Sequence, residues 1–77
     1  MSVSAFAHIQ VKMGKANEVI KAIKEVEGVK EAYIVTGEFD IIAKIEANDL
    51  KSLGDKVLKS IHTIKGVYRT VTSMIVS

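Results

Sequence analysis

From Val3 to Val11 every second position is apolar: Val3, Ala5, Ala7, Ile9 and Val11 fall on one face, and Ser4, Phe6, His8 and Gln10 on the other. A period of two predicts a strand. Gly14 ends the alternation, and from Ala16 the spacing becomes helical. Ala16, Val19, Ile20, Ile23 and Val26 make one stripe, with Lys15, Glu18, Lys21, Lys24 and Glu25 on the wet side. Gly28 suits the left-handed stop that follows a helix. Residues 29–35 form a β-branched and aromatic run, Thr36-Gly37-Glu38 a turn, and residue 39 or 40 to residue 46 a further strand. So short a connection makes the two strands an antiparallel hairpin. Asn48 and Asp49 are good caps for a second helix with the stripe Leu50, Leu53, Val57, Leu58 and Ile61. Gly54 is a weak point in that helix, suited to close packing. Gly66 follows, and residues 67–76 form the last strand.

The chain also repeats itself. The run from Val19 to Val29 lies over the run from Val57 to Val67, and the two glycines give the offset, 66 − 28 = 38. Two copies are too few for a solenoid and indicate one supersecondary unit used twice. Each half reads strand, helix, strand. With right-handed crossovers the halves interleave into an α+β, ferredoxin-like βαββαβ fold: a four-stranded antiparallel sheet of order 4-1-3-2 with both helices on one face. The other face is left to Phe6, Tyr68, Met74 and part of the 33–35 segment, amid His8, Gln10 and Lys44. An apolar sheet face on so small a domain predicts an interface, a two-fold dimer packed sheet against sheet or edge against edge.

Composition sharpens that expectation. Seventy-seven residues make one domain, 1–77, and a chain of this size buries only about 60% of its unfolded surface. Small folds often add disulfides, metals or partner subunits. There is no cysteine and there are two histidines, so no cofactor or metal is expected and oligomerisation is the natural supplement. The net charge is +2, from 11 Lys+Arg against 9 Asp+Glu, and Arg69 is the only arginine. Scattered lysines do not make a phosphate-binding surface, so direct DNA binding is not expected. No apolar run approaches the ~20 residues of a membrane span, and no signal segment is visible, which points to the cytoplasm.

No catalytic set stands out. His8 sits on a sheet face and reads as a polar interface residue, and His62 ends a helix and reads as a C-terminal cation. Glu25 and Glu27 read as a solvated helix end, and the isolated glycines form no phosphate loop. The hairpin Tyr33-Ile34-Val35-Thr36-Gly37-Glu38-Phe39-Asp40 says more, and two readings of it stay open. In one, Gly37 supplies positive φ, Phe39 packs the hairpin end and Asp40 bonds the turn amides. In the other, the same atoms are a receptor: loop amides take a carboxylate while Asp40 pairs with an ammonium group. Thr70 and Thr72 are two apart, so their hydroxyls share one face of the last strand. That is ordinary strand propensity, or the other half of such a receptor.

The hairpin pattern Val-x-Gly-x-Phe-Asp, with Gly66-Val67 and the Thr-x-Thr of the last strand, resembles the effector domain of the Lrp/AsnC family. This is the RAM domain, for regulation of amino acid metabolism, and the resemblance covers nearly the whole chain. It implies a dimer of the dimeric α/β-barrel type, dimers assembled into a ring, and an amino-acid site between dimers near the hairpin. Carried over, Gly37 is the loop glycine, Phe39 the packed aromatic and Asp40 the acid near the ligand's amine, with Thr70 and Thr72 as hydroxyl positions. Tyr33, Thr36 and Glu38 flank that set. Family members usually carry a helix-turn-helix. None is visible here, which implies a stand-alone module that acts on transcription by co-assembly with a full-length Lrp/AsnC regulator. Two rivals remain: a small dimeric α/β-barrel enzyme of the monooxygenase or isomerase type, with His8 as its sole polar candidate, and a structural oligomer without a ligand.

Overall fold

The computed structural model describes residues 2–77. Its elements are β1 (Val3–Val11), α1 (Ala16–Lys24), β2 (Val29–Ile34), β3 (Ile41–Ala47), a second helix α2 over residues 50–62, and β4 (Val67–Met74). The helix α2 is composite: an α-helical turn at Leu50–Ser52, a π-helical stretch at Leu53–Leu58 and a closing α-helical turn at Lys59–His62. All strand pairs are antiparallel in the order β2-β3-β1-β4, the expected order read from the other edge. The fold is ferredoxin-like.

The strand pattern explains the core. Register sets Ala5 beside Ile45, Ala7 beside Ala43 and Ile9 beside Ile41, all on one face and all fully buried. Val19 and Ile23 of α1 and Leu53, Val57 and Ile61 of α2 close over them. Alanines in the middle of the sheet leave the volume that the helical Ile, Leu and Val side chains fill. The helical stripe spacing holds because both helices need only one apolar face here.

The internal repeat is physical as well as textual. Val19 and Val57, Ile23 and Ile61, and Gly28 and Gly66 are partners at the same spacing of 38, and the four side chains are in the core. Gly28 has φ +101° and Gly66 φ +102°. A Cβ on Gly28 would lie 2.6 Å from Val57 Cγ2, and one on Gly66 2.9 Å from Val19 Cγ2. Each half's glycine therefore makes room for the other half's valine.

Several expectations need correction. Leu50 is 63% exposed, because the turn it opens precedes the part of α2 that reaches the sheet. Val26 lies past the end of α1, although it still packs against the core. Gly54 gives no close packing, since a Cβ there would meet nothing within 4 Å. Met74 pairs with Ala5 and so belongs to the helix-side face, because directly paired residues point the same way. The slip comes from a bulge between β1 and β4: Gln10 pairs with Arg69 but Val11 with Val67, which leaves Tyr68 as the extra residue. The last strand ends at Met74, two residues early.

The cap of α2 is as expected at Asp49, whose Oδ1 accepts from the Ser52 N–H at 2.7 Å. Hydrogen bonding from Ser52, first its N–H and then its hydroxyl, holds the Asp49 carboxyl below its ordinary value of 3.8, with Lys56 adding a smaller pull. A lowered folded pKa means stability that is present above 3.8 and lost as pH falls through the lower folded value. Asp49→Asn keeps a capping oxygen and should flatten that acid arm, whereas Asp49→Ala should lower the melting temperature at pH 7. Thermal melts from pH 2 to pH 7 check both.

Candidate functional site

The hairpin between β2 and β3 is closed by the Val35 N–H donating to the Asp40 carbonyl at 2.8 Å. Gly37 turns it with φ +112°, and a Cβ there would meet open space. Asp40 then fastens the hairpin to β1 in two ways. Its N–H donates to the Ile9 carbonyl at 2.9 Å, and its Oδ2 accepts from the Val11 N–H at 2.9 Å. The carboxylate thus serves β1 and not the turn amides. It continues the β1–β3 pairing for one step beyond the last backbone pair, Ile9 with Ile41. The acid is half-buried.

Phe39 folds onto the open face of the sheet, the face opposite the helices. Its ring centroid is 5.4 Å from that of His8, and the Arg69 guanidinium lies 5.6 Å from its centre. Arg69 Nη1 is 4.0 Å from Glu38 Oε2, and the Gln10 side-chain amide donates to the Glu38 carbonyl at 2.8 Å. The cation–aromatic contact adds roughly 0.5–1 kcal/mol at such an exposed site. Sequence reading missed Arg69 and Gln10. The signal available was register, because Gln10 and Arg69 are directly paired across β1 and β4. Tyr33 is on the same open face, beside Ile42. Its hydroxyl donates to Glu31 Oε1 at 2.6 Å, and that bond and the adjacent negative charge raise the phenol's pKa. Thr36 is exposed in the turn.

Thr70 and Thr72 share a face, and it is the other one. They pair with Ile9 and Ala7, so they point to the helix side of edge strand β4. There they line a cleft of about 290 Å³ with Leu58, Lys59 and His62. The Thr70 Oγ1 is buried and has no hydrogen-bond partner. An unpaired buried hydroxyl costs about 1–3 kcal/mol, so a polar group that reached it would recover that cost.

Within one protomer, then, Gly37, Phe39 and Asp40 stand together on the hairpin, with Tyr33, Thr36 and Glu38 around them. Thr70 and Thr72 are apart from them across the sheet. The cleft brings a hydroxyl pair, an ammonium and an imidazole to one place, a donor set that suits a carboxylate. No three His, Asp or Glu side chains converge on a metal-holding point among the described residues. No helix is long and apolar enough to cross a membrane.

A family model described as the Lrp/AsnC ligand binding domain matches residues 4–77. The chain belongs to that family. A helix-turn-helix type transcriptional regulator of Pyrococcus furiosus is 42% identical over 55 residues, which are 71% of this chain and 37% of that protein. A homocitrate synthase of Sulfolobus acidocaldarius is 40% identical over 57 residues, 74% of this chain and 12% of the enzyme. The chain therefore spans little more than a third, and little more than a tenth, of these curated relatives. Among solved structures, TTHA0845 of Thermus thermophilus superposes with a TM-score of 0.90 at 32% identity, over 97% of this chain and 94% of that one. The Lrp/AsnC domain accounts for the hairpin and the last strand in one unit, and it matches regulators more fully than it matches the enzyme.

Proposed function

We propose that this Lrp/AsnC domain is a non-catalytic, cytoplasmic amino-acid sensor that works as an oligomer and has its effector site between copies. The observation that carries the reading is the buried, partnerless Thr70 hydroxyl in a cleft whose other groups suit a carboxylate. The hairpin acid that would hold the ammonium lies on another part of the same protomer. A ligand that touches both sets needs a second copy to bring its hairpin to the first copy's β4, so the site and the ring are one proposal. Gly37, Phe39 and Asp40 would come from one copy and Thr70 and Thr72 from its neighbour. The exposed Phe6 and Tyr33 on the open face favour a two-fold dimer as the unit of that ring. Transcription would be reached by co-assembly with a full-length Lrp/AsnC regulator, not by direct DNA contact.

Isothermal titration with the twenty amino acids, together with native mass spectrometry, tests this. The expected result is at least one saturable amino acid, bound by an assembly larger than a monomer. A compact monomer whose melting is independent of concentration, or no binding by any amino acid, would sink it.

Thr70→Val gives a sharper check, because its two effects have opposite signs. Removing a partnerless buried hydroxyl should leave the ligand-free protein as stable as before, or more stable by about 1 kcal/mol. The same change should weaken amino-acid binding by roughly 1–3 kcal/mol. Denaturant melts and titration read the two separately.

A further inference from the structure

The largest cavity of the molecule, about 420 Å³, is at the other end of the sheet and shares no residue with either part of the effector site. We propose that it is a second ligand site, one that takes a small zwitterion of amino-acid size. Its walls are the start of β2, the end of β3 and the π-helical stretch of α2. Lys30 and Lys56 line it together with Glu27 and Glu46, and Ser52 and Ser60 add hydroxyls.

Three observations carry the proposal. First, Lys30 enters the cavity because the β2–β3 register slips between Val29 and Glu31, which makes Lys30 the extra residue. Bulges re-aim side chains in this way, often beside functional sites. Second, the facing wall is a π-helical stretch, a rare helix form that is frequent at such sites. Third, two lysines and two glutamates share one cavity, yet the ion pairs found among the described residues are Lys15–Glu18 and Arg69–Glu38. Both signs of charge are presented and neither is used.

The internal repeat shows that the cavity is a departure from the fold's own symmetry. The corresponding niche in the other half is at Gly66, whose carbonyl accepts from the Lys12 N–H at 2.9 Å, as the Gly28 carbonyl accepts from the Glu46 N–H at 2.8 Å. At Gly66 the Lys15 stem closes the niche: a Cβ there would lie 3.3 Å from Lys15 Cβ and 3.7 Å from Lys15 Cγ. At Gly28 the contacts of such a Cβ are Val57 and the Glu46 carbonyl, and no charged stem covers them. In place of that cover, the chain adds the Asp49-capped turn and the π-helical stretch. The volume lies within the ordinary range for small-molecule sites. In it, an anionic head would meet Lys30 and Lys56, and an ammonium would meet Glu27 and Glu46. The Ser60 hydroxyl donates to the Lys56 carbonyl at 2.6 Å, so its oxygen is left to accept.

The test is a heteronuclear NMR titration of the intact protein with each of the twenty amino acids, with propionate and methylamine as single-charge controls. At least one amino acid should give saturable shifts at the Gly28, Lys30 and Lys56 amides, while neither control does. Lys30→Gln/Lys56→Gln keeps the side-chain shape and should weaken that binding roughly tenfold, as expected for two partly exposed charge contacts. Saturable shifts confined to the Gly37 and Thr70 amides would overturn this second site and leave the effector site standing. So would an absence of shifts at Gly28, Lys30 and Lys56 up to about 50 mM, or shifts that the double variant leaves unchanged.

Discussion

Asp40→Asn should fold like the parent protein and lose amino-acid binding by roughly tenfold or more, which is about 1.4 kcal/mol or more. The two jobs of this side chain separate cleanly in that variant. An asparagine oxygen still accepts from the Val11 N–H, the bond that Oδ2 makes at 2.9 Å, so β1 keeps its last fastening. The negative charge that would pair with an effector's ammonium is gone. Asp40→Ala removes both and should cost about 2–5 kcal/mol of affinity, as when one partner of a desolvated charge pair is deleted. It should also cost about 1–3 kcal/mol of stability, because the Val11 N–H loses its acceptor. Glu38→Ala is the control: it releases Arg69 from an exposed pair at 4.0 Å and should change little. Titration and denaturant melts on the four proteins decide the matter. If Asp40→Asn binds every amino acid as the parent does, the acid is a fastening and the hairpin holds no ammonium.

Gly28→Ala should destabilise the domain by more than about 3 kcal/mol. Part of this is backbone strain, about 1–2 kcal/mol for a side chain held at positive φ. The larger part is the lack of space. The added methyl would sit 2.8 Å from the Glu46 carbonyl oxygen, a backbone atom in the body of the sheet, as well as 2.6 Å from Val57 Cγ2. Overpacking that a side chain cannot relieve adds roughly 1–3 kcal/mol. Gly66→Ala meets only side-chain atoms of Val19 and Lys15 and should lose less. Gly37→Ala has the positive φ without the crowding and should lose least, about 1 kcal/mol. Urea titrations of the three variants should give that order. Equal losses would mean that φ alone decides.

The fold was legible because its signals are local and periodic. The alternation of Ala5, Ala7 and Ile9 and the stripe of Val19, Ile20 and Ile23 each name a buried face without reference to the rest of the chain. The repeat at 38 then dictated how the halves combine. What could not be read depends on register. One extra residue at Tyr68 decides which face Met74 takes, and one at Lys30 brings a lysine into a cavity. Neither bulge leaves a mark in the residue types around it. The hairpin site was half legible: its residues stand out, but the Asp40 bond to Val11 joins segments far apart in sequence. The separation of Thr70 and Thr72 from the hairpin is a fact of the whole sheet, visible only once β4 is known to be an edge strand with its threonines on the helix side.

The position of β1 has a consequence for synthesis. It is a central strand, and both of its neighbours, β3 and β4, are made after it. As the chain leaves the ribosome at roughly 5–20 residues per second, the strand must wait on the order of seconds for its second partner. Throughout that interval an alternating apolar segment has bare backbone groups along one side or both, the kind of segment that recruits other chains. The β2–β3 hairpin, whose pairing is short in sequence, can form first and shield one side. Efficient production of this protein should therefore depend on how soon the final strand clears the ribosome, so a pause placed within β4 is the one that should lead to aggregates.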